Sequence, residues 1–160
     1  MYYKAPNQYI TEGNSFEIDG IQYPSNWLNL STAQDKLDAG LVEVTNANEP
    51  EDDRFYWVSS SLEGSVRTYT NTPKDLNTLK TQWIAVINNT AYTLLQPSDW
   101  MVVKAQETGT AMSEDWKTYR AAVRTTADSS RAAITAATDV PALQKAIVVV
   151  WPHDPNYVNN

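Results

Sequence analysis

The chain has 160 residues, a formal net charge of −7 and no cysteine. Its 42% hydrophobic and 19% charged content belongs to a folded chain of one domain, or of two small ones sharing a core. The missing cysteines exclude disulfides, thiolate nucleophiles and Cys-based zinc sites, and the acidic balance argues against a nucleic-acid partner, which needs a clustered basic face.

The opening stretch Met1 to Ile10 carries Lys4, Pro6, Asn7 and Gln8, so it has no apolar signal core. No run approaches the roughly 18 apolar residues of a membrane helix, so no membrane span is expected. Phe16 to Tyr23 alternates apolar and polar residues around Asp19-Gly20, a pair suited to a tight hairpin turn. Ser31 with Gln34 forms a capping-box pattern for a short helix that Gly40 would stop. Leu41 to Thr45 resumes strand alternation, and Asn46 to Asp53 is polar and acidic, the composition of a solvated loop.

Arg54 to Ser59 and Ser65 to Thr70 flank Glu63-Gly64, predicting a second hairpin. Phe55 to Val58 is apolar at every position, so both faces of that strand should be covered. Thr72-Pro73-Lys74-Asp75 is a helix-start signal. Leu76, Leu79, Trp83, Val86, Ile87 and Leu94 then form one stripe, predicting a helix from Pro73 to Leu95. Pro97 should break it or start the next helix with a kink; Ser98 to Gln106 then forms a short helix ending at Gly109, or Val102-Val103 lies in an extended segment. Ser113 should cap the next helix, with Trp116, Tyr119, Val123 and Ala127 on one face and Lys117, Arg120, Arg124 and Arg131 on its neighbour. Asp139 and Pro141 open a last short helical turn, and Pro152 to Asn160 should be irregular. The predicted fold class is α+β: N-terminal β-hairpins with a short helix, then a C-terminal helical hairpin. Residues 1–71 form the β-rich region and 72–160 the helical one.

The ingredients of catalysis are sparse. His153 is the only histidine, and five glycines are scattered with no phosphate-binding GxGxxG or GK[ST] loop. Asp52/Asp53 and Glu114/Asp115 are sequence neighbours rather than acids facing each other across a cleft. The expectation is a non-enzyme with no cofactor and no metal. Six Trp and nine Tyr against two Phe supply amphipathic apolar mass suited to cores and interfaces. Trp27, Tyr56, Trp57 and Tyr69 leave open a carbohydrate- or receptor-binding module, if their faces are exposed.

Three ordered signatures lie in the second half: Leu94-Leu95-Gln96-Pro97-Ser98-Asp99-Trp100, then Ser113 to Arg124 with Trp116 and Tyr119-Arg120, then Val150-Trp151-Pro152-His153-Asp154-Pro155. Together they resemble the pattern of the phage tail assembly chaperone-like family, over roughly residues 85 to 155. The resemblance implies action by protein–protein contact, with other phage tail or fibre proteins as partners, in a multi-copy or homo-oligomeric assembly. It implies the host cytoplasm during assembly and the virion tail afterwards. A tail, baseplate or fibre component and a transient tail-fibre assembly chaperone are both consistent with it. The stretch Thr125 to Ile147 is longer than the family's usual spacing before the terminal Trp-Pro. Carried over, the signature positions are Asp99, Trp100, Trp116, Tyr119, Arg120, Arg124, Trp151 and Pro152. Their physical reading is structural: Trp100 and Trp116 would pack between two helices, Trp151-Pro152 would close over them, and Arg120 or Arg124 would pair with Asp99. Lys117, Arg120, Arg124 and the sheet edge at Tyr56 are the candidate partner-binding residues.

Overall fold

At Asp19-Gly20 the chain reverses with both residues at positive φ, 50° and 82°, the conformation of a type I′ turn. The turn joins β3 (Phe16–Ile18) to β4 (Ile21–Tyr23), antiparallel with Phe16 opposite Tyr23. A computed structural model describes residues 1–156 of the chain, in two compact units, Met1–Thr72 and Pro73–Asn160. Its fold is α+β, antiparallel strands first and helices after. Of the tail Pro152 to Asn160, expected to be irregular, residues 157–160 lie outside the described residues.

In the first unit, β1 (Tyr2–Lys4) lies between β2 (Gln8–Ile10) and β5 (Leu41–Glu43), antiparallel to both. The sequence reading placed no strands in these first ten residues. The core gathers Ile10, Ile18, Leu28 and Leu41, each nearly inaccessible, with Tyr2, Phe16, Tyr23, Trp27 and Ala39 packed around them. Each such aliphatic side chain contributes about 1.5 to 3 kcal/mol by leaving water. Phe16 and Tyr23 stack at 5.0 Å, and Trp27 meets Tyr23 edge-on at 4.8 Å.

Helix α1 (Trp27–Leu30) precedes α2 (Ala33–Asp38). The capping box lies one residue later than the expected Ser31/Gln34. Thr32 caps α2 by accepting from the Asp35 amide, and Asp35 accepts from the Thr32 amide. Both candidates pair a hydroxyl with a polar residue three positions on. The aspartate wins because its carboxylate also accepts from the Thr32 hydroxyl. Gly40 (φ 72°) ends α2 where Lys4 crosses: a Cβ there would sit 2.6 Å from the Lys4 Nζ.

The single strand expected over Leu41 to Thr45 is two, split at Val44. β5 completes the first sheet, whereas β6 (Thr45–Asn46) runs parallel to β8 (Val66–Pro73) in another. The acidic stretch that follows is fastened to β8 rather than simply solvated. The Asn48 amide donates to the Tyr69 carbonyl and accepts from the Tyr69 amide. Asn71 bridges the Glu49 carbonyl and the Glu51 amide. The order of this sheet is β6-β8-β7, with β7 spanning Tyr56–Glu63. Phe55 and Tyr56 are buried, but Trp57 is 67% exposed, so the expectation of cover on both faces fails at Trp57. Alternation of the strand sends that ring to the open face despite its apolar neighbours.

In the second unit, α3 spans Leu76–Leu95 and starts later than expected. Pro73 ends β8, and Asp75 caps the helix by accepting from the Thr78 amide and hydroxyl. A 3₁₀ turn, Gln96–Ser98, leads into α4 (Asp99–Thr108), which Gly109 stops at φ 70°. Helix α5 (Glu114–Ala136) packs along α3, and α6 (Val140–Ala146), capped by Asp139, packs on α5. On α5 the buried positions Tyr119, Val123, Ala127, Ser130 and Ile134 recur every three or four residues, one stripe facing inward. Leu79, Ile87 and Ala91 of α3 and Val140 and Leu143 of α6 are buried too. No helix of the described residues is long and apolar enough to cross a membrane.

Candidate functional site

Two of the three sequence signatures meet at one guanidinium. Arg120 is only 6% exposed although it carries a full charge. Its Nη1 donates to the Leu95 carbonyl at 2.9 Å and to the Ser98 Oγ at 2.6 Å. Its Nη2 donates to the Asp99 carboxylate at 2.8 Å. Ser98, fully buried, donates its own hydroxyl to the Leu95 carbonyl at 2.8 Å. Beside it the Tyr119 hydroxyl donates to the Leu94 carbonyl at 3.3 Å. The last carbonyls of α3, which no intrahelical amide can reach, are thus satisfied by two consecutive residues of α5. Burial, reinforced by the charge of Asp154, holds the Tyr119 hydroxyl above the usual tyrosine range.

This arrangement corrects the reading of Lys117, Arg120, Arg124 and Arg131 as one solvent-facing ridge. Arg120 turns inward because one turn of helix carries it to the border of the buried stripe, next to Tyr119. Arg131 reaches back to α3, donating to the Asn88 side chain at 2.7 Å, and pairs with Asp128. Lys117 pairs with Glu114 at 3.1 Å on the exposed side. Arg124 is exposed and makes no ion pair or side-chain hydrogen bond among the described residues. Asp99 takes Arg120 as its partner.

The other signature residues divide. Trp100 was expected between the helices, but it is 57% exposed, with the Lys104 ammonium 5.7 Å from its ring centre. Its position in the first turn of α4, directly after Asp99, turns it away from the side that faces Arg120. Trp116 is half-buried and meets Tyr119 edge-on at 5.6 Å. Trp151 and Pro152 are half-buried, and Pro152 lies over Tyr119 and Ala122 at the rim of a shallow groove. Tyr56, proposed for a partner surface, is buried and presents no such surface. Of the four aromatics considered for sugar stacking, Trp27 and Tyr69 are half-buried and Tyr56 is buried, which leaves Trp57 as the one exposed ring. They do not make a shared platform.

Between α4, the Gly109–Ser113 connection and α5 runs an open groove of about 490 Å³. Val102, Ala105 and Met112 line its apolar side, and Lys117, Arg120 and Arg124 its basic side. Arg120 is buried and engaged with Leu95, Ser98 and Asp99, and Lys117 is paired with Glu114, so Arg124 is the exposed lining charge without a side-chain partner among the described residues. Val102 and Val103 are themselves about half exposed on α4, beside Trp100. Among the described residues no group of three or more His, Asp or Glu converges as a metal site. Ser98 was quoted in the signature but not singled out as a site residue. Its signal was a hydroxyl three residues after a helix-final leucine, beside an acid. No family model, no curated protein and no solved structure matches the chain.

Proposed function

We propose that the chain is a non-catalytic bacteriophage tail protein, a component of tail, baseplate or fibre that acts by protein–protein contact through the α4–α5 groove. The observation that carries this reading is the convergence of separated signature residues on Arg120. Leu94-Leu95, Ser98-Asp99 and Tyr119-Arg120 form one hydrogen-bonded node. Residues that lock a helical hairpin explain why a pattern would be kept as an ordered set. That supports treating the resemblance as one of architecture rather than of scattered tryptophans.

The groove gives the reading its chemistry. An apolar wall beside Arg124, unpaired among the described residues, and the exposed Lys117–Glu114 pair suits an acidic, amphipathic segment of a neighbouring tail or fibre protein, and the exposed Trp100, Val102 and Val103 extend the contact area. Mass spectrometry of purified particles tests it. Stoichiometric presence in the tail supports a structural component, whereas absence from particles with retention in assembling lysates would indicate a departing chaperone. Arg124→Glu should fold normally and weaken association with the cognate tail protein, with the wild-type advantage shrinking at high salt. Unchanged association would place the interface elsewhere.

A further inference from the structure

We propose that β7 is a subunit interface: it pairs antiparallel with β7 of a second copy, about a two-fold axis through Ser60. The inference concerns the first unit alone and does not depend on the groove or on a role in a phage tail.

Hydrogen-bond accounting leads to it. In the order β6-β8-β7, the far edge of β8 is occupied by β6 and, at Tyr69, by the Asn48 side chain. The outer edge of the eight-residue β7 has no strand against it among the described residues. Gly64, at φ 56°, and Ser65 are the only residues between β7 and β8. Glycine at positive φ in the first position of a two-residue connection fits a type II′ hairpin, which sets Glu63 opposite Val66 as the closing bonded pair. Alternate residues 57, 59, 61 and 63 then bond to β8, and Val58, Ser60 and Leu62 direct their amides and carbonyls outward. A long edge is normally protected by lysine, proline or an inward charge. From Tyr56 to Leu62 there is none of these. The other edge strands of this unit, β2, β3, β4, β5 and β6, are two or three residues long.

The sequence of β7 also selects its partner. Two copies related by a two-fold axis perpendicular to the sheet must place same-face residues opposite each other, so facing residue numbers sum to an even value. With Ser60 on the axis, Val58 faces Leu62 twice, Ser59 faces Ser61 twice, and Trp57 faces Glu63. Val58 and Leu62 are both half-buried on the inner face, so their pairing carries the apolar layer across the seam. Moving the axis to Ser59 sets Val58 against Ser60 and Leu62 against Tyr56, whose ring is already buried in its own subunit. Moving it to Ser61 sets Leu62 against Ser60 and Val58 against Gly64. Only the axis at Ser60 pairs the half-buried Val58 and Leu62 with each other. The strand's one charge, Glu63, lies at its end. Antiparallel pairing separates the two carboxylates by six residues, about 20 Å, beyond the screening length at physiological salt. A parallel in-register pair would instead put them side by side.

The absence of cysteine makes the test direct, because any disulfide in a single-cysteine variant must join two copies. Sedimentation equilibrium of the full chain should show a dimer. On oxidation Ser60→Cys should yield a covalent dimer, since residues facing across a bonded pair have Cα atoms about 5.5 Å apart, within disulfide reach. Glu63→Cys should not. Ser60→Pro removes two hydrogen bonds at the axis and should weaken dimerisation about tenfold or more, with an unchanged circular dichroism spectrum. If the proline variant unfolds, the two cysteine variants decide alone. A monomer up to the solubility limit overturns the proposal. So does a dimer in which Glu63→Cys cross-links as readily as Ser60→Cys, or one that a folded Ser60→Pro leaves equally tight. A monomer that instead takes a strand from a different protein overturns it too.

Discussion

Arg120 donates to Asp99 across 2.8 Å, tying the second turn of α5 to the first residue of α4. The pair is asymmetric: the arginine side chain is 7% exposed and the aspartate 52%. The guanidinium therefore depends as much on the Leu95 carbonyl and Ser98 hydroxyl as on its counter-ion. Arg120→Ala should destabilise the protein by about 2 to 3 kcal/mol, by leaving the buried Ser98 oxygen without its donor, the Leu95 carbonyl with Ser98 alone and Asp99 without its counter-ion. Arg120→Lys should recover little, because one ammonium cannot span three acceptors held in a planar fork. Urea denaturation of both variants checks this.

Trp100 and Val123 belong to the same signature region and should behave oppositely. Val123→Ala removes a fully buried side chain and should cost about 1 to 3 kcal/mol. Trp100→Ala, on the exposed side of α4, should stay within about 0.5 kcal/mol of the parent while weakening any contact made through the groove. Thermal melts, paired with a binding assay against the cognate partner, separate the two effects.

Acid should loosen two helix starts. Asp75 is held below the ordinary carboxylate value of 3.8 by the Thr78 hydroxyl and then its amide, and Asp35 likewise by Thr32. A carboxyl whose folded pKa is depressed contributes stability above its unfolded pKa and loses it as pH falls through the folded one. The melting-temperature gap between wild type and Asp75→Ala should therefore be widest near neutrality. It should close as pH drops below about 3.8. A gap unchanged at pH about 2 would show that the cap does not depend on ionisation.

Gly109 ends α4 at φ 70° with open space where a Cβ would project. Gly109→Ala should cost about 1 kcal/mol from backbone strain alone, and Gly109→Asn less, since asparagine visits this region more readily. A clash-driven loss of several kcal/mol is not expected, and chemical denaturation would detect one.

What could be read from the sequence was whatever is encoded locally. The β3–β4 hairpin follows from Asp19-Gly20 between alternating residues, and α3 and α5 follow from their apolar periodicity. β1 was missed because Tyr2-Tyr3-Lys4 is too short to show alternation, and its partner Leu41–Glu43 lies far along the chain. The inward turn of Arg120 was missed for a related reason. Helical spacing puts it beside both Tyr119 and Arg124, and only the end of α3, another segment altogether, decides which side it joins. Trp57 escaped because hydrophobicity cannot say which face of a strand is left open. For the site, Asp99 and Arg120 were named from the pattern, while the dependence on Ser98 and the carbonyls of α3 emerged only in three dimensions.

The placement of β1 between β2 and β5 has a consequence for synthesis on the ribosome. Residues 2–4 leave the exit tunnel well before Leu41–Glu43, and their sheet is incomplete until residue 43 has followed. Meanwhile the β3–β4 hairpin, whose contacts are all local, can close within the waiting interval. The parallel pairing of β6 waits longer still, for Arg67 of β8. The nascent chain can thus hold two local hairpins, β1–β2 and β3–β4, before the later segment Leu41–Glu43 docks on β1 and completes the first sheet.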